Sequence, residues 1–326
     1  MDQPFITFGI PTYNRPDRLL HLLVTIYGQE NVTNSDFEVI ISDNSTNNLT
    51  EELVAEKFAS KTNLKYKRNL ENIGSERNIR QVFDLGSGKF TWLMPDDDFL
   101  TSPSSLRTVI DNISKYDEGD LSFIITDLRS KHIDLDIVYS EKLTGINKEV
   151  YFKDGKDILN MLTDADLLGA QRLIVKKGIL NHPFEQRHTK TGFVGCMSIA
   201  LVAASKGAAL FISTPVVTFC IGDDSSWRNK VPKIYYFDMS YLLLEAASEL
   251  GYNKTRVKQI IEQKKVGLKA MFNPLYFLFQ LHDFKWRKFI ELYGFGFFLR
   301  NIMLSPINIF FNTKFAKQIF RKKIIL

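Results

Sequence analysis

The chain has 326 residues, 44% of them hydrophobic, enough to bury a sizeable core in one large domain or two modest ones. Its formal charge of +5 is unevenly placed: residues 254–326 carry 15 Lys and Arg against 3 Asp and Glu, which leaves residues 1–253 net acidic. The two isolated cysteines, Cys196 and Cys220, exclude a disulfide framework, and an acidic body with a basic tail full of large apolar residues argues against nucleic-acid binding.

The N-terminus, MDQPFITFGI, lacks a basic region followed by an apolar run and a cleavage site, so the expected location is the cytoplasm. Residues 5–10 read as a first strand. Asn14 and Pro16 then start a helix whose apolar face is Leu19, Leu20, Leu22, Leu23 and Ile26. A second strand, residues 37–42, ends in Asp43-Asn44-Ser45-Thr46, turn and cap residues that put Asp43 at the C-terminal edge of the sheet. A third strand begins at Leu64, a helix covers 75–85, and the strand 89–94 runs straight into Pro95-Asp96-Asp97-Asp98. A helix over 103–115 and a strand from Leu121 follow. Short apolar runs alternating with helical segments specify an α/β fold with a mixed, mostly parallel sheet flanked by helices. Ligands of open α/β sheets bind outside the carboxyl ends of the strands, so Thr12, Tyr13, Asn14, Asp43 and the aspartate run converge on one pocket.

Beyond residue 130 the regularity weakens, with extended segments at 172–177, 208–213 and 215–220, a helix over 196–207, and helical patterns from 233 to 272. The expected division is a first half (1–130), a second half (131–232) and a C-terminal helical region (233–326), which the resemblance given below makes the nucleotide-sugar-binding half, the acceptor-side half and a membrane-associating region. That last region mixes cations with aromatics such as Phe277, Trp286 and Phe297, which suits an anionic membrane surface. Its longest uncharged stretch, 301–313, is shorter than the roughly 20 residues that span a bilayer, so the tail is expected to lie on the inner face of the cell membrane; the plain alternative is a helical subdomain whose aromatics form a core and whose lysines are solvated. The sequence leaves an oligomer open.

Three adjacent carboxylates raise one another's pKa unless a cation sits among them, and their hard oxygens suit Mn2+ or Mg2+ shared with phosphates. The plain alternative is a solvated turn and helix cap. Gly86-Ser87-Gly88-Lys89 resembles a phosphate-binding loop, but Phe83 replaces its first glycine and Phe90 its Ser or Thr, which leaves a turn between helix and strand.

Four motifs stand in order across the first 100 residues: Pro11-Thr12-Tyr13-Asn14-Arg15 after a strand, Ser42-Asp43-Asn44-Ser45-Thr46 after the next, then NIGSERN at 72–78 and MPDDDFL at 94–100. Together they resemble the inverting family 2 glycosyltransferases of the GT-A (Rossmann-like) fold. The resemblance implies a nucleotide-sugar donor bound by Pro11, Thr12, Tyr13, Asn14, Arg15, Asp43, Asn72, Gly74, Arg77, Asp96 and Asp97. In it Asp43 accepts a hydrogen bond from the base, Arg77 lies near the diphosphate or the sugar, Asp96 meets the ribose, and Asp98 with Asp96 takes the metal. An acceptor-only carboxylate reading an N–H of uracil or thymine makes UDP the expected carrier. The implied acceptor is a lipid-linked oligosaccharide of a bacterial surface polysaccharide, capsule or O-antigen.

An inverting transfer needs a carboxylate base, which the family places just before a helix corresponding to 199–207. Residues 193–198 hold none. Glu185, Asp223 and Asp224 are the candidate replacements, and His188, beside Glu185, is a candidate nitrogen ligand for the metal. The missing base also supports a rival reading, a noncatalytic nucleotide-sugar or glycan-binding subunit that keeps the donor site.

Overall fold

The computed structural model describes residues 3–116, 119–132, 137–163, 166–167, 169–188, 192–221, 237–271 and 292–293. The first half alternates strand and helix: β1 (Ile6–Thr12), α1 (Pro16–Tyr27), β2 (Phe37–Asp43), α2 (Leu49–Lys57), β3 (Leu64–Arg68), α3 (Ser75–Leu85) and β4 (Phe90–Leu93). Then come β5 (Phe99–Leu100), α4 (Ser105–Tyr116), β6 (Leu121–His132), β7 (Val138–Ser140), β8 (Val150–Phe152) and α5 (Ile158–Met161). The last elements are β9 (Leu173–Lys176), α6 (Pro183–Arg187), α7 (Gly192–Ser205), β10 (Ala208–Ile221), α8 (Met239–Glu249) and α9 (Lys254–Met271).

All ten strands join one sheet, in the order β3-β2-β1-β4-β9-β6-β10-β5, with β7 added to β6 and β8 to β10. Strands β3, β2, β1 and β4 are mutually parallel, and β9 enters antiparallel between β4 and β6. Period-2 alternation divides the side chains between two cores. In β2, Phe37, Val39 and Ile41 face α1, α2 and α4, while Ile40 faces α3, α7, α8 and α9; in β6, Ile124 and Phe123 divide the same way. Because helices cover both faces, β2 is buried along its whole length. Gly9 lets α3 lie close on β1, since a Cβ there would stand 2.8 Å from Val82 Cγ2.

Pro16 in the first turn of α1 fixes the start of that helix, as the sequence implies. Two details differ from the sequence reading. The extended segments 208–213 and 215–220 form one strand, β10, because Pro215, which has no N–H to give, sits at a bulge in its pairing with β6. The two-residue β5, too short to show a pattern, pairs antiparallel with Val217 and Thr218. The aromatic and basic tail beyond Met271 lies outside the described residues apart from Leu292 and Tyr293. Among the described residues no helix is long and apolar enough to cross a membrane.

Candidate active site

The parallel register sets Thr12 of β1 beside Asp43 of β2, and the chain leaving β4 turns at Pro95 to present the three aspartates at the same sheet edge. Thr12 Oγ1 donates to Asp96 Oδ2 at 2.7 Å. The Arg15 guanidinium reaches Asp96 at 3.2 Å and Asp97 at 2.9 Å, and Arg18, one turn into α1, stands 3.8 Å from Asp97. The aspartates are therefore clasped by the chain that follows β1. Asn14 bends that chain: its φ of 54° is one that Asn tolerates, and its amide exchanges hydrogen bonds with Thr46 while its N–H reaches Ser45 Oγ. Tyr13 is left exposed, and Pro11 lies half-buried at the end of β1.

Asp43 is fully buried. Its Oδ1 accepts the Ser45 N–H at 2.7 Å and its Oδ2 accepts the Tyr66 hydroxyl at 2.6 Å. Beneath it runs a network of side-chain amides that the sequence reading did not anticipate. Ser42 Oγ donates to Asn78 Oδ1 at 2.6 Å, Asn78 Nδ2 donates to the Thr12 carbonyl, and Gln81 Nε2 joins Ser42 to Asn69. Asn69 Nδ2 donates to Asn44 Oδ1, and Asn44 Nδ2 holds the Gly74 carbonyl at 3.2 Å. The segment 72–74 is thus docked on the sheet edge, with Asn72 Oδ1 accepting the Gly74 N–H. Gly74, at φ 86° and ψ 157°, launches α3 from a backbone conformation reserved for glycine. Arg77 in the first turn of α3 is exposed and has no partner among the described residues.

Burial, followed by the charge of Asp97, pushes the Asp96 carboxyl up to about 6 against the opposing pull of Arg15 and Thr12. Burial and Asp97 also hold Asp98 well above the usual carboxylate range. Burial works against the charge of Arg15, but Asp96 and Asp97 outweigh it and raise its pKa. Burial and the crowding of the carboxylates thus disfavour their charged forms at this edge, a cost that a divalent cation would relieve. Asp97 is the most open of the three, with 29% of its side chain exposed and no described partner on Oδ1. Asp98 is turned inward, its Oδ1 accepting the Cys220 N–H at 2.8 Å. No group of three or more His, Cys, Asp or Glu among the described residues is arranged to hold a metal alone. The donor set fits an ion that takes one or two carboxylate oxygens and completes its shell with phosphate.

Two expectations are corrected by geometry. Glu185 is 2% exposed and fully engaged: Oε1 lies 2.5 Å from Arg80 Nη1, and Oε2 accepts the His182 N–H in a capping box on α6. A carboxylate committed to an ion pair and a helix cap is not poised to take a substrate proton. His188 is not among the aspartates either: its ring packs on Phe184 and its Nε2 lies 2.6 Å from Glu245 on α8. Asp223 and Asp224 lie outside the described residues.

A family model described as glycosyl transferase family 2 matches residues 7–156, a span that holds all four motifs. The chain is similar to the abequosyltransferase RfbV of Salmonella typhimurium, 29% identical over 237 residues that make up 69% of each chain. It is also similar to an uncharacterized glycosyltransferase of Methanocaldococcus jannaschii, MJ1057, 26% identical over 124 residues, 38% of this chain and 42% of that one. Among solved structures its fold resembles S. aureus TarS 1-349, with a TM-score of 0.61 and 14% identity, covering 94% of this chain and 86% of the other. The same TarS region in complex with UDP-GlcNAc gives 0.58 at 15% identity, with the same coverage. The family match and the abequosyltransferase relative indicate a nucleotide-sugar glycosyltransferase, and the solved structures give the GT-A fold. Residues 7–156 of the chain match glycosyl transferase family 2.

Proposed function

We propose that this enzyme transfers a sugar, with inversion, from a nucleoside diphosphate, UDP by expectation, to a lipid-linked oligosaccharide of a bacterial surface polysaccharide. One observation carries the reading: Thr12 and Arg15 hold Asp96 and Asp97 at the end of β4, with one oxygen of Asp97 left without a partner among the described residues. The similarity to an abequosyltransferase supports the product class, and the fold shared with a UDP complex of TarS supports the carrier.

In this reading Asp97, with Asp96 or Asp98, holds a manganese or magnesium ion, whose chemistry is to neutralise the departing diphosphate. Asp43, buried under Ser45 and Tyr66, would read the base through a lone pair these two leave unused, once the Tyr66 side chain shifts to admit it. Arg77 and the N-terminal turn of α3 offer positive charge to the phosphates. The base is sought at Asp223 or Asp224, and the basic tail keeps the enzyme on the inner membrane face. With Glu185 engaged elsewhere, a noncatalytic donor-binding subunit remains the rival, and turnover separates the two.

The test is calorimetric titration of UDP, dTDP, GDP and CDP with and without manganese. Tight, manganese-dependent binding of one nucleotide supports the reading, and binding of none overturns it.

A further inference from the structure

Parallel pairing sets Tyr66 of β3 beside Ile41 of β2, two residues before Asp43 and on the same face of the sheet, and from there its hydroxyl reaches forward to Asp43 Oδ2. The bond is short, 2.6 Å, as expected where a carboxylate accepts. Burial, and after it the bond to Asp43, raises the phenol pKa above its ordinary value, so Tyr66 stays a donor at any working pH.

Asp43 is 0% exposed, so no ligand reaches its carboxylate until one of the groups bonded to it moves. Those groups are the Ser45 N–H on Oδ1 and Tyr66 on Oδ2. Ser45 does not move alone. Its hydroxyl accepts the Asn14 N–H at 2.8 Å and meets Thr50 Oγ1 at 3.2 Å, and the next N–H along, that of Thr46, is held by Asn14 Oδ1. Displacing it would part the turn after β2 from the turn after β1. Tyr66 is less constrained: β3 ends the sheet on that side and pairs with β2 alone, the side chain is half-buried, and its one hydrogen bond among the described residues is the one to Asp43. The neighbouring Arg68 does not take its place, being bonded to Asn48 and Glu51 at 2.6 and 2.7 Å.

An ionised carboxylate only accepts, so whatever replaces the phenol on Asp43 must bring a hydrogen. A ligand that brings none leaves a buried carboxylate short of a donor, which is costly. Uracil and thymine carry an N–H on the ring between their two carbonyls, whereas the corresponding ring nitrogen of cytosine carries no hydrogen.

We propose that Tyr66 is a specificity-determining residue of the donor site: its hydroxyl fills the place on Asp43 that the ring N–H of the base takes, and a base without that N–H does not displace it. This rests on the donor reading above, which gives Asp43 to the base, and adds the residue that filters it.

The test is calorimetric titration of the full chain with UDP and with CDP, manganese present, for wild type and Tyr66→Phe, which keeps the ring and removes the hydroxyl. The variant has no bond for the base to break, so it is expected to bind UDP at least about tenfold more tightly than wild type, while its affinity for CDP stays within about threefold. Tyr139→Phe, which removes an exposed hydroxyl from β7 in the other half of the sheet, leaves both affinities as they are. In fluorotyrosine-labelled wild type, the fluorine signal that Tyr66→Phe lacks moves on saturation with UDP and stays in place on saturation with CDP. Unchanged or weaker UDP binding by a Tyr66→Phe variant with the wild-type far-UV spectrum overturns the proposal and leaves the donor reading standing, and so does a Tyr66 signal that UDP does not move. An equal gain for UDP and CDP overturns the specificity. If neither protein binds a nucleotide, the donor reading falls and the role of Tyr66 falls with it.

Discussion

The Asp98 carboxylate accepts the backbone N–H of Cys220 at 2.8 Å, a bond between residues 122 positions apart. Two residues later Leu100 pairs with Val217, so the last aspartate fastens the run onto β10 before the chain turns into α4. Structural and ligand roles of Asp98 can therefore be separated by substitution. Asp98→Ala leaves a buried N–H without an acceptor and is expected to cost about 1–3 kcal/mol in urea unfolding. Asp98→Asn keeps a carbonyl for Cys220 and loses the charge, so it should unfold close to wild type yet lose the manganese-dependent gain in nucleotide affinity. Equal nucleotide binding by wild type and Asp98→Asn, with and without manganese, would limit Asp98 to the structural role.

Gly74→Ala tests whether the start of α3 is preorganised for the donor. A Cβ at Gly74 has nothing nearer than Glu76 Oε2 at 3.4 Å, an ordinary contact, so space is not the obstacle. The obstacle is the backbone at φ 86° and ψ 157°, where an L side chain costs about 1–3 kcal/mol. Either the protein bears this cost in stability, or residues 72–74 relax and the bond from Asn44 to the Gly74 carbonyl is lost. Nucleotide affinity should fall in the second case. A variant as stable and as tight-binding as wild type would show that this conformation is not required.

The first half of the chain was legible because its signals are local. Apolar runs marked β1, β2 and β4, Pro16 marked α1, and residues 75–85 form α3 as the sequence implies. What stayed hidden depends on distant partners. Nothing near Asn69, Asn78 or Gln81 in the sequence says that they meet Ser42 beneath Asp43. Glu185 looked like a spare carboxylate because its partner, Arg80, lies 105 positions away. Likewise, the turn Gly86-Ser87-Gly88 was readable as a turn, but not the residue that holds it.

That residue is Glu38. From the start of β2 it accepts Thr7 Oγ1 at 2.7 Å, the N–H groups of Ser87 and Gly88, and Lys65 Nζ at 2.9 Å. Burial alone would raise its pKa, but the bonds from Thr7, Ser87 and Lys65 prevail and hold it at about 2, below the ordinary 4.5. The folded chain then binds this proton less readily than the unfolded chain does. Ionised Glu38 therefore stabilises the fold above about pH 4.5, and the contribution is lost as pH falls towards 2. It amounts to about 3 kcal/mol over that window. Denaturant unfolding of wild type and Glu38→Gln between pH 2 and 6 checks this: the wild-type curve should show the extra slope and the variant should lack it.

Removing each candidate carboxylate separates the base from its structural look-alike. Glu185→Gln breaks the pair with Arg80 and weakens the cap of α6, a loss of about 1–3 kcal/mol at a site where one partner is buried and the other half-exposed. It leaves untouched the sheet edge proposed to bind the donor, so turnover per folded molecule should stay within a few-fold of wild type. Asp223→Asn or Asp224→Asn should do the opposite if one of them takes the acceptor proton. Nucleotide affinity and stability would persist while kcat falls by about 10²–10⁴ and the acidic limb of the pH–rate profile disappears. Full turnover in both variants would remove these aspartates from the chemistry. A wild type that binds nucleotide but shows neither transfer nor slow donor hydrolysis would instead favour the donor-binding subunit.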